Sequence, residues 1–256
     1  MSEVDLKGVQ GLYEECCDGH FYEWVLPKHG AAPPVAAERH ICTAPVWYND
    51  AEALTLIEDN YNSLDEMNST WKLSYFSAGL RDKRLHHRPY KVFQLESDDD
   101  LTVVKCKIRP VLLIKRVSCD WRIPGNAAHL FQTWLCLPLF SYKPRHTQGY
   151  VIIDQSLKRP HHFYFPPGTP GLECECAGKL IEMQFIPEKN LTPMKGMCYE
   201  GAVKMQRPVR VTEPGFNAVL GHIASFLPYT EISGDVRAWY DLFVEAVQEQ
   251  ISKIVA

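Results

Sequence analysis

The sequence predicts an α+β protein, a small curled β-barrel of short strands with helical additions before and after it. Three observations carry that expectation. Lys107-Ile108-Arg109-Pro110-Val111-Leu112-Leu113-Ile114-Lys115-Arg116 runs from an Arg-Pro pair into four consecutive apolar residues, the pattern of a buried strand. From Tyr90 to Phe185, short apolar runs recur between Gly, Pro and Asp turn formers, as in a small barrel or curled sheet. Beyond Pro208 the apolar spacing changes to three- and four-residue steps, which is amphipathic helix.

Taken in order, Phe21 to Leu26 has strand character and ends before Gly30-Ala31-Ala32-Pro33-Pro34. Ile41 to Tyr48 contains Pro45 and runs into Asn49-Asp50. Asn49 with Glu52 forms a helix-starting pair, and Leu54, Ile57, Tyr61 and Leu64 follow at helical spacing, so an amphipathic helix is expected over about residues 50 to 66. Strands follow at Tyr90 to Glu96, Leu101 to Ile108 and Pro110 to Val117. Pro110 has no backbone N–H and suits a first strand position, which holds Arg109 extended at the strand's mouth. Pro124-Gly125-Asn126 breaks the chain before strands at Thr133 to Leu139, Tyr150 to Asp154, His161 to Phe165 and Lys179 to Phe185. Met194 to Pro208 reads as a loop. A helix then starts at Thr212 as N-cap, carries Phe216, Val219, Leu220, Ile223 and Leu227 as an apolar stripe, and stops at Pro228. The last helix, about Asp235 to Ile254, carries Val236, Trp239, Tyr240, Phe243, Val247, Ile251 and Ile254 on one stripe. The domain expectation is therefore an N-terminal extension over 1–88, the barrel over 89–195, and a C-terminal helical segment over 196–256.

Bulk properties narrow the function classes. A net charge of −4 argues against a protein whose main task is coating nucleic acid, because phosphate binding needs clustered Lys and Arg. Nine scattered cysteines, an odd number without a regular framework, read as reduced thiols. The acidic start has no apolar signal core and no run of eighteen apolar residues occurs, so a cytoplasmic protein without membrane contact is expected.

Motifs that announce chemistry are few. Cys174-Glu175-Cys176, Cys16-Cys17, His86-His87 and His161-His162 are metal-ligand types, but zinc spacing is missing and adjacent strand histidines face opposite ways, so no metal is expected. Phosphate-binding glycine loops and hydrolase nucleophile motifs are absent, and no cofactor is expected. Arg81-Asp82-Lys83-Arg84-Leu85-His86-His87-Arg88 is the strongest basic cluster; it reads as a solvated loop or as an RNA-phosphate grip through Arg81, Lys83, Arg84 and Arg88. Arg109 beside Ser141 is a minimal set for RNA cleavage, with Arg on the scissile phosphate and a hydroxyl transferring protons. His146 is a neighbouring acid or base, and Lys143 and Arg145 lie on the same loop to hold RNA.

Arg109-Pro110-Val111-Leu112-Leu113-Ile114, followed by Leu135-Cys136-Leu137-Pro138 and by Lys179-Leu180-Ile181-Glu182-Met183-Gln184-Phe185-Ile186, resembles the MazF/PemK family of toxin ribonucleases over roughly residues 89 to 195. The resemblance implies an SH3-like curled barrel with the family's catalytic arginine at Arg109. Anchored on Pro138, the family's threonine position falls on Phe140, and Ser141 lies one residue later on the opposite strand face. The acidic residue before Arg-Pro is replaced by Lys105, Cys106 and Lys107. Enlarged barrels of this kind resemble accessory components of prokaryotic defence loci, including CRISPR-linked ones. The expected function is a regulatory, non-catalytic module that binds another protein of its locus, with Trp239, Tyr240, Phe243 and Val247 as the docking stripe. The enzymatic alternative is a metal-independent endoribonuclease using Arg109 with Ser141 or His146. RNA as a second partner and dimerisation are both compatible with the sequence.

Overall fold

The computed structural model describes residues 11, 13–17, 19–26, 36–48, 54–60, 68–75, 103–121, 129–200, 203–227 and 232–255, a few strand positions by backbone alone. It is α+β with mostly antiparallel sheets, and it divides into one unit of residues 1–46 and 108–256 and a second of 47–107. The C-terminal helices therefore belong to the same unit as the Arg-Pro strand.

The strands of the larger unit are β1 (Tyr22–Trp24), β2 (Ile41–Trp47), β5 (Cys106–Trp121), β6 (His129–Ser141), β7 (His162–Phe165), β8 (Cys176–Lys179), β9 (Gln184–Pro187), β10 (Thr192–Pro193), β11 (Lys195–Glu200) and β12 (Val203–Val211), while β3 (Leu54–Asn60) and β4 (Thr70–Tyr75) form the smaller one. One path runs β10-β2-β5-β6-β8-β7, with β9 also paired to β6; a second is β1-β12-β11. Among the described residues the pairing does not close into a ring. β9 leads through a 3₁₀ turn, Glu188–Asn190, into β10, which pairs with β2.

β5 and β6 form the central ladder, from Val111 opposite Pro138 to Trp121 opposite His129. Alternation sends Leu112 and Ile114 into one core with Leu137, Leu139 and Phe163, and Val111 and Leu113 into another with Cys42, Trp134, Cys136 and Ile186. Covered on both faces, the strand needs no polar alternation, hence the four-residue apolar run. Two separate strands were expected either side of Arg109, but β5 is continuous from Cys106, and Pro110 sits inside it just before the β6 ladder begins.

The first core is aromatic. Tyr13, Phe21, Phe163 and Phe165 pack with centroids 5.2–6.5 Å apart, mostly edge to face, each fully buried ring being worth roughly 1.5–3 kcal/mol. Burial also raises the Cys42 and Cys136 thiols to about 12, so both behave as small apolar side chains.

Further sequence expectations fail, among them the single strand at Lys179 to Phe185, which is the end of β8, a 3₁₀ turn at Leu180–Glu182 and the start of β9 (Gln184–Pro187). Of the helix expected over 50 to 66, the described residues 54–60 are strand β3, in register with β4 from Leu54 opposite Tyr75, with Val103 bridged to Leu54 on its other edge. Its apolar spacing fits both periods, and cross-strand pairing decides. Tyr150 to Asp154 is not a strand but part of helix α1 (Gln148–Gln155), because Thr147 Oγ1 accepts the Tyr150 N–H and Val151, Asp154 and Gln155 share its buried face. Met194 to Pro208 is the β11–β12 hairpin rather than a loop, with Lys195 opposite Pro208. Its Met, Gly and Gln residues have little strand preference, so pairing with β1 supplies what the local sequence lacks. Tyr90 to Glu96 and Pro228 lie outside the described residues.

The C-terminal helices are α2 (Glu213–Phe226) and α3 (Gly234–Val255). Thr212 precedes α2 without capping it by its side chain, and its hydroxyl instead donates to the His20 carbonyl. α3 buries Tyr240, Phe243, Val247 and Ile251 in the first core. Gly221 lets the two helices meet, since a Cβ there would lie 2.4 Å from Tyr240 Cβ. No described helix is long and apolar enough to cross a membrane.

Replacing Gly221 by Ala should destabilise the protein by about 1–3 kcal/mol despite the better helix propensity, because Tyr240 Cβ cannot retreat; urea unfolding reads this directly. Burial lowers both His222, whose Nδ1 lies 2.5 Å from the Tyr240 hydroxyl, and His40 to about 4. A base with a depressed folded value is neutral in the fold and takes up a proton on unfolding, so the stability it confers is intact above pH ~6.5. That stability should fall as the pH drops from ~6.5 towards 4. His222→Asn should reduce the proton uptake on unfolding in this window by about one.

Candidate functional site

The Arg-Pro strand places its arginine on the face of the second core. Arg109 has the parity of Val111, and the β6 residue of matching parity is Phe140, whose ring carries the Arg109 guanidinium at 4.4 Å. Lys179, at the end of β8, sets its Nζ over the same ring at 4.6 Å. Two cations thus contact one aromatic ring, and cation–π attraction of roughly 0.5–1 kcal/mol each holds them there. β6 and β8 pair from Leu139 opposite Gly178 to Ser141 opposite Cys176, which fixes Phe140 and Lys179 on neighbouring strands.

Ser141 is exposed, and alternation along β6 turns it to the face opposite Phe140 and Arg109. His146 is engaged elsewhere: its Nδ1 accepts the Lys143 N–H at 3.1 Å and its ring stacks on Tyr150 at 4.9 Å. Accepting at Nδ1 leaves the neutral ring's proton on Nε2. Lys143 and Arg145 are exposed on the turn between β6 and α1. Arg81, Lys83, Arg84 and Arg88 lie outside the described residues. Of the expected docking stripe, Tyr240, Phe243 and Val247 are buried in the protein's own core, and Trp239 stacks on Phe243 at 5.4 Å. That stripe serves helix packing.

The structure assembles a polar cluster that the sequence did not reveal. Asp154, at the end of α1, is fully buried and accepts the Tyr142 hydroxyl at 2.8 Å on Oδ2, with His162 Nδ1 3.0 Å from the same oxygen. Arg159 Nη1 lies 3.0 Å from Asp154 Oδ1, an ion pair by distance that lacks hydrogen-bond alignment. The Arg159 guanidinium also rests over the Tyr150 ring at 4.0 Å. Beside it, Glu175 Oε1 accepts from the Tyr164 hydroxyl at 2.6 Å and from Gln155 Nε2 at 3.1 Å. Burial, and then the Asp154 carboxylate, raise the Tyr142 hydroxyl far above its ordinary value, so it remains a donor.

This cluster pins the chain between β6 and β8 to the first core, through Tyr164 and Tyr142. Only His162 of the His161-His162 pair is buried, since His161 lies in the turn before β7. The Cys174-Glu175-Cys176 motif divides likewise, with Cys176 buried, Cys174 exposed and Glu175 turned to Tyr164.

Asp154→Ala should cost about 3–5 kcal/mol of stability by stranding the buried His162 and the half-buried Arg159, whereas Ser141→Ala should stay within about 0.5 kcal/mol; paired denaturant titrations compare them. No family model matches the chain, and no curated protein or solved structure matches it either.

Proposed function

We propose that this protein is a non-catalytic, regulatory module that binds another protein, built on an SH3-like barrel of the MazF/PemK type and acting in a prokaryotic defence or stress system. The defence setting follows from the resemblance of the Arg-Pro region. The barrel reading is supported by β2, β5, β6 and β9 surrounding the second core, with the 3₁₀ turn after β9 bringing β10 back onto β2.

The observation that carries the non-catalytic reading is Phe140. At the position where the resemblance requires a hydroxyl, this chain has an aromatic ring that holds the Arg109 guanidinium against its face. A ring offers no oxygen to move a proton, and Ser141 faces the other way. Ile181 and Phe185, on the segment that follows Lys179, are each 55% exposed, apolar surface suited to a protein partner.

One observation favours endoribonuclease as a second reading: two cations flanking an aromatic ring also fit a phosphate and a stacked base. Incubating the purified protein and its Arg109→Ala variant with a mixed single-stranded RNA decides between them. The expected outcome is no cleavage by either; cuts that disappear in the variant would establish the nuclease.

A further inference from the structure

Away from Arg109, the β1–β12 edge carries a second concentration of charge. Glu23 and Arg210 are directly opposite in the β1–β12 ladder, and Arg210 Nε lies 2.8 Å from Glu23 Oε1. Arg39 reaches the same carboxylate oxygen through Nη2, while its Nε donates to the Val211 carbonyl at 2.9 Å. Arg39 holds this position with φ at +75°, a left-handed backbone uncommon for a residue with a side chain. Its further acidic neighbour, Glu213, stands 3.8 Å from Nη1 and is 77% exposed. Two carboxylates thus stand against two guanidinium groups, Glu23 held between both arginines and Glu213 the more exposed. His40 beside them is lowered first by burial and then by both arginines.

These groups line a cavity of about 630 Å³, whose wall also includes Trp24, His20 and Thr212. Trp24 is held rigidly: a Cβ on Gly196 would lie 2.7 Å from its six-membered ring, so one edge of the indole is pressed onto the β11 backbone. Trp24, Thr169 and Pro170 also line a neighbouring cavity of about 540 Å³, bounded by Leu172, Met194 and Met197. The Trp24 ring therefore borders both recesses, the first holding the arginine pair and the second lined by Met194, Met197, Glu173 and Lys195. The volume lies within the range of small-ligand sites, roughly 300–1,000 Å³.

We infer that this cavity binds a nucleoside monophosphate or a ligand of the same chemistry. The Arg39–Arg210 pair takes the phosphate, because paired guanidinium forks match its oxygens and Glu23 pre-orients them. Trp24 stacks the planar base, and the Glu213 carboxylate accepts from the ribose hydroxyls. No bond is made or broken; the site is for binding.

The test titrates the full chain by calorimetry with each of the four ribonucleoside 5′-monophosphates, the matching nucleosides, inorganic phosphate and an acidic peptide. At least one monophosphate should bind with Kd below about 1 mM. Its nucleoside and inorganic phosphate should each bind at least about tenfold more weakly, as should the nucleotide to Arg210→Gln. Trp24→Leu should weaken nucleotide binding similarly while leaving inorganic phosphate unchanged, and it provides the test should Arg210→Gln fail to fold. Saturation by no monophosphate, equal affinity for inorganic phosphate, or preference for the acidic peptide would each overturn the inference.

Discussion

The structure depends on a strand buried on both faces. Val111 and Leu113 point into one core and Leu112 and Ile114 into the other, so β5 is the wall the two cores share. A slip of one residue would exchange every side chain between cores of different shape, which makes the register costly to change. The irregularity between Leu113 and Lys115 adds one unpaired residue, and Ile114 remains within the aromatic core. The parity that sorts these four residues also puts Arg109 beside Phe140 and away from Ser141.

Buried charge then fixes the longer connections. Asp154 ties Tyr142, Arg159 and His162 together, and Glu175 joins Tyr164 to Gln155, so the chain from β6 to β8 has a defined seat on the aromatic core. Such groups are expensive to desolvate, and their effect lies in selecting one arrangement more than in net stability. On the other sheet, Glu23 draws Arg39 and Arg210 together from distant parts of the chain. The two networks differ in accessibility: Asp154 is sealed within the core, whereas Arg39 and Arg210 line an open cavity. The first is therefore architectural, and only the second is available to a ligand.

Much of the fold was legible where local pattern and tertiary demand agree. The run Val111 to Ile114, the β7 strand and the two C-terminal helices have unambiguous periods, and the structure contains all of them. Where an apolar segment fits two periods, as at Leu54 to Asn60 or Tyr150 to Asp154, pairing or capping elsewhere decides. The β11–β12 hairpin was hidden for a different reason, since residues of weak strand preference are held by a neighbouring strand. The stripe of Tyr240, Phe243 and Val247 was visible as an apolar face, but periodicity cannot distinguish a face that packs inward from one that receives a partner.

The sequence by itself determined the buried apolar run after Arg109-Pro110 and the amphipathic C-terminal helices, because those follow from residue order and spacing. It also placed Phe140, rather than a hydroxyl, two residues beyond Pro138 on the parity of Arg109. Only the tertiary structure decided that Lys179 joins Arg109 over that ring, and that Asp154 collects its three partners. The meeting of Arg39, Glu23 and Arg210 beside Trp24 was likewise settled in three dimensions. Residues 39 and 210 have no shared local pattern, and cross-strand pairing and a left-handed backbone at Arg39 alone bring their charges to one carboxylate.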